Sequence, residues 1–341
     1  MKNGPAKSDS RTLFHAVERR RFGRSTCFLC GRRLTLENGT DEHVFPKWLQ
    51  HRFSLWNQRL TLLNGTEIAY RSLTIPCCLD CNGKHLSLIE KEVEAATLKG
   101  YKAVAALGPM TLFLWLGKIF YGLLYKELFL VRDRKSGSKT KITDKNLLKT
   151  FSLHHLFLQA ARLPFRFETG TPASIFVFKI KPPDDKKLHW DFRDSLHMKT
   201  LAVRIGEVGI LAALQDGGAQ RDSKDVFWRR FQKYKLHPLQ FTELSAAFFY
   251  SASLVNRVPK FMLFESPDYV QVVQNPLQGM SKKPIFDDWN QPDFAKLLSL
   301  MTGLPFDQVF TPPKSVMTWL HDAKGHIRPV AITGVETGRF S

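Results

Sequence analysis

Cysteines are few in this sequence, and no long uninterrupted apolar run is present. Five cysteines among 341 residues are too few for the disulfide framework of a small secreted protein. The most apolar segment, 103–131, is interrupted by Gly108-Pro109 and by Lys118 before it reaches the roughly 20 residues of a membrane span. The basic N-terminus lacks the apolar stretch of a signal peptide. We therefore expect a cytoplasmic protein with reduced thiols, buried apolar helices and no membrane partner.

Acidic residues are scarce relative to basic ones. Lysine and arginine total 50 against 31 acidic residues, which gives a net charge of +19. Residues 101–341 alone carry 34 basic and 21 acidic residues, so the excess is not confined to one end. A fold does not need such an excess, but the resulting field attracts polyanions, and nucleic acid is the commonest of these. An anionic membrane surface is the competing interpretation.

The distribution of apolar residues predicts an α+β protein. Apolar residues recur at spacings of three and four over 84–99, which predicts a helix with one buried face. A basic helix is expected over 14–24, a polar loop over 132–141, and apolar helices over 111–123 and 147–161. Segments rich in β-branched and aromatic residues predict strands at 174–180, 200–205, 260–264 and 269–273. We expect a small domain over residues 1–100 and a larger mixed α/β domain over 101–341.

Four of the five cysteines form two C-x-x-C pairs, Cys27 with Cys30 and Cys78 with Cys81. Each pair is typical of a knuckle that gives two thiolates to a tetrahedral zinc ion. Four unrelated buried cysteines are the alternative, although paired spacing of this kind rarely arises by chance. A structural zinc would hold together two segments that are far apart in the sequence. Cys77 is left over and is interpreted as a neutral buried thiol.

Two polar clusters lie next to these knuckles. Glu42 directly precedes His43 at the end of an expected strand, and Asn82 directly follows Cys81 at the start of the helix predicted over 84–99. A Glu-His pair is most often an ordinary surface feature. Because a shared zinc would bring the two clusters close together, however, the surrounding cysteines favour a functional site.

The order of these motifs resembles the HNH endonucleases of the ββα-metal superfamily, in their zinc-knuckle subgroup. The resemblance covers residues 24–100, which we call the head, and it implies a small zinc-clamped ββα-metal domain. The matching residues are Cys27, Cys30, Glu42, His43, Pro46, Lys47, Cys78, Cys81 and Asn82. Carried over by residue, the resemblance implies that His43 is the general base. It also implies that Glu42 and Asn82 bind a catalytic Mg²⁺ or Mn²⁺ ion, with DNA as the substrate.

The resemblance also bears on His85 and on the position of an asparagine that the family usually has. His85 lies three residues after Asn82 and would share its face of an α-helix, as a third ligand of the catalytic metal or as a phosphate contact. The family usually has a central Asn that holds the loop of the catalytic His, but here that position falls near Leu73. Asn57 or Asn64 could take its place, or the contact is absent.

The remaining two thirds of the chain carry no recognised motif. The run 221–235 interleaves cations with aromatic residues, a mixture that suits nucleic-acid binding. The expected nucleic-acid contacts are Lys47, Lys84, Arg229, Arg230, Lys233 and Lys235. By analogy of architecture, the chain is interpreted as the nuclease effector of a prokaryotic antiviral system, paired for example with a short Argonaute protein that carries guide RNA. The alternative is a non-catalytic zinc-containing module that binds nucleic acid or a partner protein.

Overall fold

The computed structural model describes residues 12–16, 23–131, 141, 145–279, 282–313, 315–322 and 324–328. Its α-helices are α1 (Lys47–Arg52), α2 (Ser87–Lys99), α3 (Tyr101–Ala105), α4 (Pro109–Glu127), α5 (Lys145–Leu158), α6 (Ala219–Gln232), α7 (Pro238–Ser253), α8 (Gln291–Thr302) and α9 (Phe306–Val309). Its strands are β1 (Gly39–His43), β2 (Arg59–Thr61), β3 (Glu67–Ala69), β4 (Thr74–Cys78), β5 (Phe165–Phe167), β6 (Ser174–Ile180), β7 (Trp190–Ser195), β8 (Thr200–Ile205), β9 (Val208–Ala213), β10 (Lys235–Leu236), β11 (Phe261–Glu265), β12 (Val270–Gln274), β13 (Phe310–Thr311) and β14 (Ser315–Val316).

The predicted mixed α+β class is confirmed, with several small sheets rather than one large one. The helices expected over 84–99, 111–123 and 147–161 correspond to α2, α4 and α5, and the four expected strands correspond to β6, β8, β11 and β12. The basic helix expected over 14–24 lies partly outside the described residues, and the described parts, 14–16 and 23–24, are not helical. The loop expected over 132–141 lies outside them except for Lys141.

The chain forms two compact units. Unit 1 contains residues 1–95, 110–170 and 262–273, and unit 2 contains 96–109, 171–261 and 274–341. Unit 1 therefore adds α4, α5 and a three-stranded sheet, ordered β11-β12-β5, to the head. Helix α4 packs closely against the head, since its backbone at Gly122 lies against the side chain of Val44. That residues 1–100 fold as a domain of their own stays a prediction.

In unit 1, an antiparallel pair of strands positions the two polar clusters. β1 pairs with β4 so that Glu42 lies opposite Ile75 and His43 opposite Thr74. β4 runs directly into a π-helix, Cys81–Leu86, which continues as α2. The apolar helix α4 is buried over most of its length, as expected for a helix that is apolar on every side. No helix of the described residues is both long and apolar enough to cross a membrane.

Unit 2 is built on a five-stranded sheet ordered β10-β6-β9-β8-β7. All of its pairings are antiparallel except that of β10 with β6. Helices α6 and α7 pack on this sheet, and α8 packs on α7. Every residue of β8 and β9 is buried, so these strands form the centre of the unit 2 core.

Candidate functional site

The four predicted thiols converge in unit 1. The sulfur atoms of Cys27, Cys30, Cys78 and Cys81 all lie within 4.8 Å of one another, and Cys30 Sγ is 3.7 Å from Cys78 Sγ. Zinc–thiolate bonds of about 2.3 Å place the sulfurs of a tetrahedral site about 3.8 Å apart. All four cysteines are free of disulfides. The cluster can therefore hold a structural metal ion such as zinc, as predicted.

Cys77 is buried next to this cluster but does not belong to the group of four. Its sulfur is 3.9 Å from that of Cys27. Contact with Cys27 raises the pKa of the Cys77 thiol, and burial acts in the same direction. Its interpretation as a neutral thiol beside the knuckles fits this environment.

A cleft of about 320 Å³ lies at the end of β1 in the same unit, and we call it the Glu42 cleft. It brings together Glu42 and His43 from β1, Lys47 from the start of α1, and Asn82 from the π-helix. These residues come from two segments that the cysteine cluster joins, because Asn82 directly follows Cys81. The cleft also contains residues that the motif did not include: Thr40, Asp41, Trp48, Ser87, Glu90, Lys91 and Glu94.

The imidazole of His43 is half-buried and lies against an aromatic side chain. Its ring stacks on Trp56, with centroids 5.9 Å apart and planes 26° from parallel. Trp56 in turn stacks on His51, at 4.8 Å and 18°. Burial lowers the pKa of His43, and the positive charges of Lys47 and Lys118 lower it further. The imidazole is therefore neutral near pH 7.

The carboxylate of Glu42 is almost fully buried, with 4% of the residue exposed. Its Oε1 accepts a hydrogen bond of 2.8 Å from Lys118 Nζ. The same ammonium group donates to the backbone oxygen of His43 at 2.8 Å and to Glu90 Oε1 at 2.5 Å. Burial alone would lower the Lys118 pKa, but Glu42 and Glu90 together outweigh it and raise the pKa. Lys118 is therefore a buried ammonium shared by two carboxylates.

The π-helix separates two residues that were expected to act together. Asn82 lines the Glu42 cleft, whereas His85 lines a different pocket beside Cys30, Cys78 and Cys81. The expectation assumed α-helical geometry, in which residues three apart share a face. A π-helix closes i→i+5 hydrogen bonds, and this wider turn directs the two side chains differently. His85 therefore does not line the cleft with Asn82, and its role as a ligand of the catalytic metal stays a prediction.

The two lysines expected near the site also lie in different places. Lys47 lines the Glu42 cleft and is available there for a phosphate. Lys84 lines the pocket that contains His85, and its Nζ lies 2.9 Å from Asp80 Oδ1. Arg32 binds the second oxygen of Asp80 at 2.6 Å. Lys84 thus belongs to an ion-pair network beside the cysteines rather than to the cleft.

Neither asparagine proposed to replace the central Asn contacts His43. Asn57 accepts a hydrogen bond from Arg71. Asn64 donates to the backbone oxygen of Val131 at 3.0 Å and accepts from the amide of Thr66. At the position where the family has this Asn, Leu73 contacts the segment after His43 through its backbone, since the amide of Val44 donates to Leu73 O at 2.8 Å.

The cationic run of unit 2 forms α6 and the residues after it. Arg229, Arg230, Lys233 and Lys235 are all exposed, although the guanidinium of Arg230 lies 4.4 Å and 4.6 Å from the centres of two phenylalanine rings. The aromatic residues of the run do not all face solvent. Trp228 and Phe231 are buried in the core, and only Phe227 and Tyr234 are exposed enough to stack on a base.

Three residues that contact Glu42, His43 or each other were not predicted from the sequence, namely Lys118, Glu90 and Trp56. One signal for Lys118 was present, because a lysine in the middle of an apolar stretch of helix needs an anionic partner if it is buried. Glu90 and Trp56 carry no comparable signal. Their roles depend on which segments pack together.

Comparison with known proteins does not assign this chain to a family. No family model matches the sequence, and neither a curated protein nor a solved structure matches it. The HNH resemblance rests on the motif residues given above.

Proposed function

We propose that this chain is a metal-dependent endonuclease of the HNH type that hydrolyses DNA phosphodiester bonds in the Glu42 cleft. The observation that carries the proposal is that Glu42, His43, Lys47 and Asn82 line one cleft. The resemblance gives chemical roles to Glu42, His43 and Asn82, and Lys47 is an expected nucleic-acid contact. Glu42 and Asn82 are 40 positions apart in the sequence, so their meeting is a property of the fold. DNA as the substrate follows from the resemblance alone.

Hydrolysis of a phosphodiester needs a water molecule that loses a proton as it attacks phosphorus. Neutral His43 can accept this proton, because its lowered pKa leaves the imidazole unprotonated near pH 7. The nearby carboxylates of Glu90 and Asp41 favour the imidazolium that forms. Trp56 limits the rotation of the ring through its stacking contact. His43 is therefore the residue that we assign as the general base.

The oxygen donors of the cleft suit a hard divalent cation. Glu42 offers a carboxylate and Asn82 an amide oxygen, the ligand types preferred by Mg²⁺ and Mn²⁺. Lys118 contacts Oε1 of Glu42, and a carboxylate has a second oxygen for a metal. When bound by these residues, the cation would relieve negative charge on the phosphate and on the departing 3′ oxygen.

The cysteine cluster is assigned a structural role in this proposal. Zinc bound by Cys27, Cys30, Cys78 and Cys81 would fix the start of the π-helix against the segment that contains Cys27. Because Asn82 directly follows Cys81, the metal would also fix the position of Asn82 in the cleft. Metal binding in small sites of this kind contributes directly to folding.

The decisive experiment incubates the purified chain with plasmid and single-stranded DNA, with and without Mg²⁺ or Mn²⁺. Cleavage should require the cation, and His43→Ala should reduce its rate by about 10²–10⁴-fold. His197→Ala is the matched control, because His197 is exposed and lies in unit 2. Equal rates for His43→Ala and the wild type would refute the assignment of the base.

A non-catalytic binding module is the second candidate, and one observation favours it. Glu42 is 4% exposed and already paired with Lys118, so its carboxylate is less available than in an open metal site. A binding module would retain DNA in a gel-shift experiment but leave it uncut at every concentration of Mg²⁺ and Mn²⁺. Cation-dependent cleavage would exclude this candidate.

A further inference from the structure

One peptide group next to the proposed base is held at both of its polar atoms. It joins His43 to Val44. Its oxygen accepts a 2.8 Å hydrogen bond from Lys118 Nζ, and its N–H donates to Leu73 O at 2.8 Å. The first contact comes from α4 and the second from the turn before β4. The direction in which the His43 side chain leaves the backbone depends on this peptide.

The ammonium group of Lys118 has as many hydrogen-bond donors as it has described oxygen acceptors around it. An ammonium group has three N–H donors, and the described contacts of Lys118 Nζ are three oxygens, one each from Glu42, His43 and Glu90. The side chain is 2% exposed, so water cannot readily replace these partners. One group thus holds both the carboxylate proposed to bind metal and the backbone of the proposed base.

The backbone of α4 lies unusually close to this part of β1. Gly122 is one turn after Lys118 and on the same face of the helix. A Cβ atom placed on Gly122 would lie only 2.6 Å from Val44 Cγ2. The absence of a side chain at Gly122 therefore allows α4 to approach Val44 while Lys118 reaches the oxygen of His43.

We propose that Lys118 is a positioning residue for catalysis, which holds the His43-Val44 peptide and the Glu42 carboxylate in their working geometry. It thereby performs the task that the HNH resemblance assigns to the missing central Asn. This inference rests on the proposed endonuclease function. Neither Asn57 nor Asn64 contacts this peptide, and Lys118 is the side chain that does.

A purely structural ion pair is the competing explanation of Lys118. Replacement of a buried ion pair by apolar groups is often neutral for stability, whereas removal of one partner alone destabilises the fold. Reduced stability after substitution would therefore not distinguish the two explanations. The turnover number at saturating DNA and metal, and the local exchange of the Val44 amide, do distinguish them.

The experiment compares Lys118→Met, Lys118→Arg and the control Ile119→Ala in the full-length chain. Ile119 is fully buried in α4 and does not line the Glu42 cleft, so its truncation destabilises the same helix while Lys118 stays in place. We expect Lys118→Met to lower kcat by about 10²-fold, as for other small misplacements of reacting groups, with less than a threefold change in KM. Lys118→Arg should recover part of kcat, and Ile119→Ala should keep it at temperatures where the protein is folded.

Hydrogen exchange of the Val44 amide provides a readout that needs no activity. It should become at least tenfold faster in Lys118→Met than in Ile119→Ala when both are compared at equal global stability. If Lys118→Met does not fold, the double variant Lys118→Met/Glu90→Gln keeps the net charge of the cluster and is compared with Glu90→Gln alone. The expected result is again a lower kcat and faster Val44 exchange in the double variant.

The outcomes separate the two proposals. A wild-type chain that cuts DNA, with a Lys118→Met variant of unchanged kcat and unchanged Val44 exchange, overturns the positioning role and leaves the nuclease proposal intact. A wild-type chain that cuts no DNA with any metal overturns the proposed function. In that case faster Val44 exchange in Lys118→Met would still support the structural part of the inference.

Discussion

The imidazole of His43 stacks on the indole of Trp56, with ring centroids 5.9 Å apart. Trp56 lies beyond α1 in the sequence and is half-buried, and its other neighbour is the exposed ring of His51. A stacking partner does not change the chemistry of a base. It restricts the orientations that the ring can adopt, which matters because proton transfer requires a defined geometry.

Replacement of Trp56 should therefore affect turnover more than substrate binding. We expect Trp56→Ala to lower kcat about tenfold, because the His43 ring gains rotational freedom, and Trp56→Phe to restore most of the activity. Steady-state kinetics on a short DNA duplex measure both constants. A Trp56→Ala variant with the kcat of the wild type would show that the stacking contact is not needed.

The pH dependence of cleavage should reflect the lowered pKa of His43. A general base must be unprotonated, so kcat/KM should be constant above the pKa of His43 and fall as the pH drops below it. Burial, together with Lys47 and Lys118, lowers this pKa, which places the fall below the ordinary histidine value of about 6.5.

Lys47→Met should move this fall to higher pH, because it removes one of the charges that disfavour the imidazolium. The measurement is the pH profile of kcat/KM at constant ionic strength and saturating metal. A fall centred above pH 7 in the wild type, or an unchanged profile in Lys47→Met, would contradict the assignment.

The cysteine cluster predicts one zinc ion per chain. Cys78→Ser should abolish zinc binding and unfold the head, because metal binding in small sites of this kind contributes directly to folding. Cys77→Ser is a matched control, since Cys77 is an adjacent buried cysteine outside the group of four. Elemental analysis and circular dichroism provide the readouts. Loss of zinc from both variants to the same extent would argue against the four-cysteine assignment.

His85→Ala tests whether His85 is a ligand of the catalytic metal. Because His85 lines the pocket beside the cysteines rather than the Glu42 cleft, its removal should leave the Mg²⁺ or Mn²⁺ concentration for half-maximal cleavage within about threefold of the wild type. Asn82→Ala should raise that concentration at least tenfold, since loss of a direct ligand weakens metal binding. Equal effects of the two substitutions would support His85 as a ligand of the catalytic metal.

The exposed cations at the end of α6 and just after it are proposed to bind nucleic acid, either DNA directly or the guide RNA of a loaded partner protein. Replacement of Arg229, Lys233 and Lys235 by Gln should weaken binding and reduce the slope of log affinity against log salt by about one for each phosphate that is no longer neutralised. Arg230 is left in place, because its guanidinium packs over Phe227 and Phe231.

The control for this experiment carries the same change of charge elsewhere in unit 2. Lys186, Lys187 and Lys296 are exposed, and their replacement by Gln removes three positive charges far from the run in the sequence. Binding is measured by titration of the full-length chain at several salt concentrations. If both triple variants bind equally weakly, the net charge of the chain rather than this surface determines binding.

Some of the strands and helices were predictable from residue patterns, whereas α6, α7 and α8 were not. β6 and β8 match the expected ranges at both ends, because β-branched residues, joined in β6 by two phenylalanines, suit a buried sheet. The π-helix before α2 was not predictable. Its i→i+5 hydrogen bonds depend on how the chain leaves the cysteine cluster and enters α2, and the local residues are equally compatible with an ordinary helical turn.

The sequence by itself determined the cysteine cluster and the adjacent polar pair, since the spacing of C-x-x-C and the order Glu42-His43 are local properties that survive any arrangement of the remaining chain. Only the tertiary structure decided that Lys118, 76 residues after Glu42, donates to this pair, and that Asn82 rather than His85 reaches the cleft. The physical reason is that a buried charge must find its partners wherever packing places them. The partners of Lys118 depend on the packing of α4 against the end of β1. No local sequence pattern predicts that packing.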